Sequence, residues 1–492
     1  MKKVSKKLLL AISLTMTGMA AAMAQQPGNG GDNVWSLEEA VNYAKSKNLQ
    51  VLQIQTNNSL NKADLNQRKF ERLPSINGGG SYNYNTGSFQ DPVSFTLVTQ
   101  DAQTSNLQLN ASLPLFMGFQ QTNLIKQTQL ELQASELDVL SAQNDITIQI
   151  VTSYLNILFA DELIKISELT RNLTQQQLDR TRILFKAGSV AENSVLDLES
   201  QLAADDLELI NAQNQRDISR LSLMQLLNLP SSQEFQIEVP EIPEPDQNPV
   251  LVSGEQVFDV AAQTLPAIQA ADLRVLSASK ALDVARGGYY PRLSLSAGIF
   301  SRYSSTSEFL LGRETINEGL QRRELGYSDP GGTQQVVIYV PNVYELPLYG
   351  NYPFFDQLKD NINKQVGVSL QVPIFNGLQA RSNVQRAKLQ QQNAKINADI
   401  ARNNLRQTIE QAYVDAVAAQ RRYIAASEQL RAAEKNYGNA QLRLNSGVIN
   451  TVDFNIVANT FRSAQSNLVQ AKYEYTFKLK VLDFYQGKDI SL

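Results

Sequence analysis

Two stretches of the chain place apolar residues at every second position. Leu107, Leu109, Ala111 and Leu113 alternate with Gln108, Asn110 and Ser112, and Val366, Val368, Leu370 and Val372 alternate with Gly367, Ser369 and Gln371. A period of two puts all the apolar members on one face of a strand. Ile76 to Tyr84 and Leu293 to Ile299 follow the same pattern, the first weakened by Gly78, Gly79 and Gly80. Four strands are therefore predicted, each with one apolar and one polar face.

Long helices are outlined by missing prolines. Pro in a helix interior costs about 3 kcal/mol, and residues 115–229 and 374–492 contain none of the chain's 16 prolines. The glycines of these runs are Gly118 and Gly188 in the first, and Gly377, Gly438, Gly447 and Gly487 in the second. Each run reads as a helical hairpin. Helices are predicted from Gln120 to Lys186 and from about Val190 to Asn228, after an earlier one from about Ser36 to Arg72 that ends where the period changes at Pro74. At roughly 1.5 Å per residue the longest extends about 100 Å, nearly matched by the two shorter ones end to end. Leu163, Ile166, Leu169 and Leu173 mark an apolar seam on it, whereas its counterpart carries Ala412, Ala416, Ala419, Ala426 and Ala433. Such seams belong to coiled coils, and small residues let the helices approach closely.

The two halves can be laid over each other. Leu113-Pro114-Leu115-Phe116-Met117-Gly118 matches Val372-Pro373-Ile374-Phe375-Asn376-Gly377 at a shift of 259 residues. The same shift, without a gap, pairs Ile150 with Ile409, Tyr154 with Tyr413, Gly188 with Gly447 and Leu223 with Leu482. Upstream, Glu38, Ala44, Val51 and Pro74 match Glu255, Ala261, Ile268 and Pro291 at a shift of 217. The difference places a 42-residue expansion between about Phe300 and Gln365. A register held this far reads as a tandem duplication. Residues 25–229 form the first repeat and 253–492 the second, each in the order helix, strand, loop, strand, long helix, turn, helix. Residues 230–252 are a linker, with Pro230, Pro240, Pro243, Pro245 and Pro249 among Glu238, Glu241 and Glu244, and a short strand predicted at Phe235 to Val239. The expansion, about 300–365, contains Pro330-Gly331-Gly332 and the aromatic-rich stretch Tyr339 to Phe355. It is expected to be a large extracellular loop whose apolar residues cover the mouth of a barrel or, as the alternative, contact a surface partner.

The N-terminus changes what the strands are for. Lys2, Lys3, Lys6 and Lys7 precede an apolar stretch from Leu8 to Ala22 and the small-x-small Ala22-Met23-Ala24. This is the layout of a signal peptide over residues 1–24, with a mature chain starting near Gln25. No later segment offers about 18 uninterrupted apolar residues, so entry into a membrane would have to be as a β-barrel. Half-polar strands ordinarily build soluble antiparallel sheets. In a secreted chain, strands of roughly 8 to 10 residues with aromatics near their ends suit a transmembrane barrel instead; the aromatics here are Tyr82, Tyr84, Phe89, Phe300 and Tyr303. Four strands cannot close a barrel, for which about eight is the practical minimum. Two or more chains must share it.

Composition removes most chemistry. The chain has no Cys and no His, which excludes disulfides, Cys/His zinc sites, thiol nucleophiles, His-based triads and a lipidated N-terminal Cys. Lys plus Arg number 44 against 48 Asp plus Glu, a net of -4; without the four N-terminal lysines the balance is 40 against 48, or -8. An acidic chain is a poor partner for nucleic acid. There is no Walker-type phosphate loop, and Asp205-Asp206, on a long helix, reads as a solvated face. No catalytic residue, cofactor or metal is expected.

Over essentially its whole mature length the chain resembles the TolC-like outer-membrane efflux protein family. The resemblance rests on the duplication, on the apolar-Pro-apolar-Phe-x-Gly junctions at Leu113 to Gly118 and Val372 to Gly377, and on the Gly turns Lys186-Ala187-Gly188 and Asn445-Ser446-Gly447. It implies a mainly α fold with a membrane β-barrel. Specifically, it implies a homotrimer sharing a twelve-strand barrel in outer-membrane lipid, continued by a twelve-stranded barrel of long helices across the periplasm. It also implies a passive exit duct for efflux or type I secretion, opened by docking to a periplasmic adaptor and an inner-membrane transporter. Pro114, Gly118, Pro373 and Gly377 would be strand-to-helix junctions, and Gly188 and Gly447 the periplasmic tip turns. In the family, carboxylates after the second tip glycine line a constriction; position by position they fall on Asp453 and Ile456, with Ser194 and Asp197 in the first repeat. Only one carboxylate ring is therefore expected from the second repeat. The Tyr expected three residues before Gly447 is Leu444, so the family's gate-closing hydrogen bonds do not carry over. Three Asp453 carboxylates on a three-fold axis would attract cations and repel anions; the competing role is a carboxylate favoured by a helix N-terminus. The alternatives are a surface-anchored coiled-coil structural or adhesive protein, against which the fourfold amphipathic strands argue, and a single-chain porin, for which four strands are too few.

Overall fold

A computed structural model describes residues 34–240 and 253–488. The expected signal peptide, 1–24, and the linker segment 241–252 lie outside the described residues. In chain order the elements are β1 (Val34–Trp35), α1 (Leu37–Lys47), α2 (Leu49–Phe70), β2 (Ser75–Asn85), β3 (Ser88–Gln90), β4 (Leu97–Thr99), β5 (Ala102–Met117), α3 (Gln120–Lys186) and α4 (Glu192–Leu226). They continue with β6 (Gln236–Ile237), α5 (Gly254–Thr264), α6 (Pro266–Arg286), β7 (Arg292–Ser304), β8 (Glu308–Tyr327), β9 (Gln335–Asn351), α7 (Phe354–Asp360), β10 (Asn363–Gln371), α8 (Gln379–Asn445) and α9 (Thr451–Tyr485). The chain is mainly helical and divides into two compact units, one of Thr56–Leu137 with Ala267–Ala401, the other holding the remainder.

The first unit is organised by an antiparallel sheet in the order β10-β7-β5-β2, so β2 and β10 are both edges. Its register sets Ile76, Ala111, Ala297 and Val366 in one row, with Leu113, Leu295 and Val368 in another. Side chains directly across an antiparallel ladder share a face, so the apolar members of all four strands form one surface. The other unit is coiled-coil helix. α3 and α8 each have 67 residues, and α4 and α9 each have 35. Ala412, Ala416, Ala419, Ala426 and Ala433 are all buried, and Tyr423 stacks on Tyr475 at 6.0 Å between ring centroids. In the first half Ile150, Tyr154, Leu158, Leu223 and Leu227 make the core. There the Tyr154 hydroxyl donates to the carbonyls of Glu238 (2.6 Å) and Trp35 (3.2 Å), tying the small parallel pair β1 and β6 to α3.

Several expectations change. The helix from Ser36 to Arg72 is two helices, because Asn48 leaves the helical conformation to cap α2: its Oδ1 accepts from the Gln50 and Val51 amides while its Nδ2 donates to the Leu226 carbonyl. The second half breaks at Leu265 before Pro266, which takes the first helical position where a missing N–H costs nothing. The seam named on α3 is misplaced in part: Leu169 is 57% and Leu173 43% exposed, and the buried positions are Ile164, Ser167, Thr174, Leu178 and Thr181. Polar members of the true seam disguise it. Asp205 is not on a solvated face but 6% exposed.

The 42-residue expansion is mostly a two-stranded ribbon, β8 with β9, followed by α7. Its turn is built by Asp329, whose carboxylate accepts from the Thr333 and Gln334 amides around Pro330-Gly331-Gly332. Leu311, Leu325 and Tyr339 are all at least 60% exposed. Counting β1, β3, β4, β6, β8 and β9, the described residues hold more than four strands; the four expected ones are those of the sheet.

Candidate functional site

The surface with functional character in the sheet unit is the polar face. It presents Ser75, Asn77, Ser81 and Asn83 from β2, Thr104, Asn106, Gln108, Asn110 and Ser112 from β5, and comparable residues from β7 and β10. The opposite, apolar face is bare: Ile76 is 67%, Val366 78% and Leu370 63% exposed. A contiguous apolar surface of this kind marks contact with a partner or a membrane.

A loop lies on the polar face at one end of β7. Asp91, fully buried, accepts from the amides of Val93 and Ser94, from the Ser94 and Thr306 hydroxyls, and from the Ser304 hydroxyl. Gln357 of α7, also fully buried, accepts from the Ser304 amide and donates to the Ser304 carbonyl, fixing the second connection to the same residue. Neither anchor was found from sequence, although Asp91-Pro92 is a turn signature. Burial alone would raise the Asp91 carboxyl, but the bonds from Ser304, Ser94, Thr306 and Val93 prevail and hold it below the usual carboxylate range. A depressed value means the anchor is complete above the unfolded pKa, about 3.9, and is lost only as pH falls through the lower folded value. Chymotryptic cleavage after Phe95, divided by the protease's rate on an unstructured peptide at the same pH, is therefore expected to be unchanged between pH 7 and 5. Asp91→Asn, which loses the charge-assisted bonds, is expected to speed cleavage by about tenfold or more at pH 7; equal rates would show that the loop is held by something else.

In the helical unit the hairpin turns recur with the same hydrogen bonds. Gly188 donates to Phe185 and Ser189 to Leu184; Gly447 donates to Leu444 and Val448 to Arg443. This is the Schellman arrangement, which needs a left-handed residue just past the helix; Gly188 and Gly447 have φ of 73° and 71°. Asp453 lies in the first turn of α9, exposed, its amide bonded to the Asn450 side chain at 2.8 Å. Ser194 is half-buried in the first turn of α4, and Asp197 is exposed further along it. Leu444 packs with Ala440, Phe454 and Ala458. Among the described residues no side-chain hydrogen bond or ion pair links Asp453 to Ser194 or Asp197.

Sequence reasoning also missed a buried polar junction below the first turn. Asp205 accepts from Thr174 (2.6 Å) and Gln201 (2.8 Å), and Arg462 of α9 approaches it at 3.6 Å while donating to Thr174. Beside it, Arg171 pairs with Asp206 at 2.6 Å. The junction couples α3, α4 and α9. Gly118 and Gly377 both adopt φ of 60° immediately before the long helices. Pro114 lies inside β5 at a register shift, where a strand tolerates proline, whereas Pro373 lies beyond the end of β10.

A sheet with one polar and one bare apolar face, carried in a chain of coiled-coil hairpins, suits a protein at a membrane boundary. The chain belongs to the outer membrane efflux protein family, whose model matches residues 40–229 and 257–488. Solved structures agree on the fold. The Campylobacter jejuni CmeC outer membrane channel is 16% identical, with a TM-score of 0.70 over 92% of this chain and 87% of that one. The outer membrane protein VceC from Vibrio cholerae is also 16% identical, with a TM-score of 0.69 over 92% and 97%. The Neisseria gonorrhoeae MtrE outer membrane channel, solved in its open state, gives 16% and 0.65 over 92% and 88%. No curated protein matches by sequence. Among the described residues no helix is long and apolar enough to cross a membrane, and no three acidic side chains are placed to hold a metal ion.

Proposed function

We propose that three copies of this chain form a passive exit duct through the outer membrane, for efflux or type I secretion, opened by docking to a periplasmic adaptor and an inner-membrane transporter. The observation that carries this reading is the sheet: four strands, both edges open, apolar on one face and amide- and hydroxyl-lined on the other. Lipid suits the first face, water the second, and other copies the edges. A second support is the stripe Leu196, Leu207, Ile210, Ile218 and Leu221 along α4, all exposed and calling for a neighbouring helix. The recurrence at one shift of helix lengths, tip bonds and left-handed residues supports a duplicated gene as the origin of the two halves.

In this reading the hairpin turns form the periplasmic tip and Asp453 rings its axis. Wild-type protein in a planar bilayer is expected to give discrete, mostly closed conductance steps. Asp453→Ala is expected to raise resting conductance roughly twofold or more, or to reduce cation preference, by removing three like charges. A wild-type protein that never conducts overturns the duct; an unchanged variant leaves Asp453 as a helix-end residue.

A further inference from the structure

The four strands carry Arg292, Arg302 and Lys364 and no Asp or Glu. By register Arg292 and Arg302 belong to the polar face, and Lys364, opposite Ile299, to the apolar one. Neither arginine makes an ion pair among the described residues. Arg302 is held in place nonetheless. Its guanidinium lies 5.7 Å from the Phe300 ring and 5.5 Å from the Phe95 ring, and Nη1 donates to the Pro92 carbonyl at 3.2 Å. Phe95 has a φ of 57°, an unfavourable conformation for a non-glycine residue. Its loop is fastened by the Asp91 anchor and by the bond from Gln90 to the Phe95 carbonyl. Such strain persists only where the surroundings fix the residue.

Beside Arg302 the polar face forms a cavity of about 820 Å³ whose lining includes Ser81, Asn106, Gln108, Asn110 and Gln365. A guanidinium offers five N–H donors, so most remain for a ligand once Pro92 is served. Its fork matches carboxylate or phosphate, and the amides add neutral donors around it. We propose that this cavity is an anion-binding station on the inner wall of the barrel, taking carboxylate- or phosphate-bearing cargo at the extracellular end. The inference rests on the duct reading. It gives the duct two filters of opposite sign, Asp453 at the tip and Arg302 near the outer mouth. A lipid headgroup is a poor occupant, because the station lies on the face turned away from the lipid.

The test is current block by inorganic tripolyphosphate, added to each chamber in turn, in bilayers of zwitterionic lipid. Wild type is expected to be blocked from one side. Arg302→Gln is expected to need roughly tenfold more tripolyphosphate for half-block, whereas Arg302→Lys, which keeps the charge, stays within about threefold. Retained block in Arg302→Gln, or no block of a conducting wild type, overturns the station and leaves the duct standing. A wild type that does not conduct sinks the duct itself, so the two failures are told apart.

Discussion

Tyr82→Cys combined with Val368→Cys is expected to convert most of the oxidised protein into a covalent trimer. The chain has no native Cys, so any disulfide reports the engineered pair. The pair follows from the register inside one chain. Strand β5 pairs with β7 through Leu107 with Ser301, Gln108 with Phe300, and Leu109 with Ile299. At the shift of 259 residues β5 corresponds to β10, and at 217 β7 corresponds to β2. If the open edge of β10 meets β2 of the next copy as β5 meets β7, then Val366 faces Tyr84, Gly367 faces Asn83 and Val368 faces Tyr82. Neighbouring rungs of an antiparallel ladder alternate between wide and narrow Cα spacing, and the narrow one suits a disulfide. Asn83→Cys with Gly367→Cys therefore covers the other rung type. Tyr84→Cys with Val368→Cys, two rungs out of register on the same face, is expected to cross-link several-fold less. Monomer bands for both in-register pairs on non-reducing gels would mean that the edges do not meet this way.

The strands were legible because a half-buried strand writes its period into the sequence; Leu107 to Leu113 needs no distant information to be read. The lengths of the hairpin helices were legible from Pro and Gly alone. What stayed hidden depends on partners far along the chain. Asn48 looks like an unremarkable helix residue until the end of α4 supplies the Leu226 carbonyl for it to bond. Asp205 reads as solvated because Arg462 lies in the other half, and nothing near Asp91 announces Ser304, 213 residues away. The expansion was misread for another reason: its irregular register, shifted at Leu310/Gly312, Asn317/Leu320 and Glu324/Gly326, breaks the alternation that reveals a ribbon. Arg302 lies beyond the strand predicted at Leu293 to Ile299, and the cavity beside it is a property of four strands and a loop.

The two junction glycines are expected to respond differently to one methyl group. Gly118 and Gly377 share a φ of 60°, so either Gly→Ala change costs about 1–2 kcal/mol for the left-handed backbone. At Gly377 a Cβ would meet nothing within 4 Å, but at Gly118 it would stand 2.4 Å from the Gly287 carbonyl oxygen, too close for any rotamer change to relieve. Gly287 is equally constrained, its own Cβ position lying 2.6 Å from the Gly118 carbonyl oxygen. Gly118→Ala therefore carries a further cost of about 1–3 kcal/mol for displaced backbone. In the proposed trimer the asymmetry has a source in the assembly. Gly287 opens the second repeat's strands beside the first repeat's junction; its counterpart at the 217 shift is Phe70, which Gly377 can meet only in a neighbouring copy. Gly118→Ala should thus lower a concentration-independent unfolding step, and Gly377→Ala mainly the concentration-dependent dissociation of the trimer. Denaturation in detergent at two protein concentrations a hundredfold apart separates them. Equal losses with equal concentration dependence would mean that the Gly287 carbonyl yields and that Gly377 has no neighbour to meet.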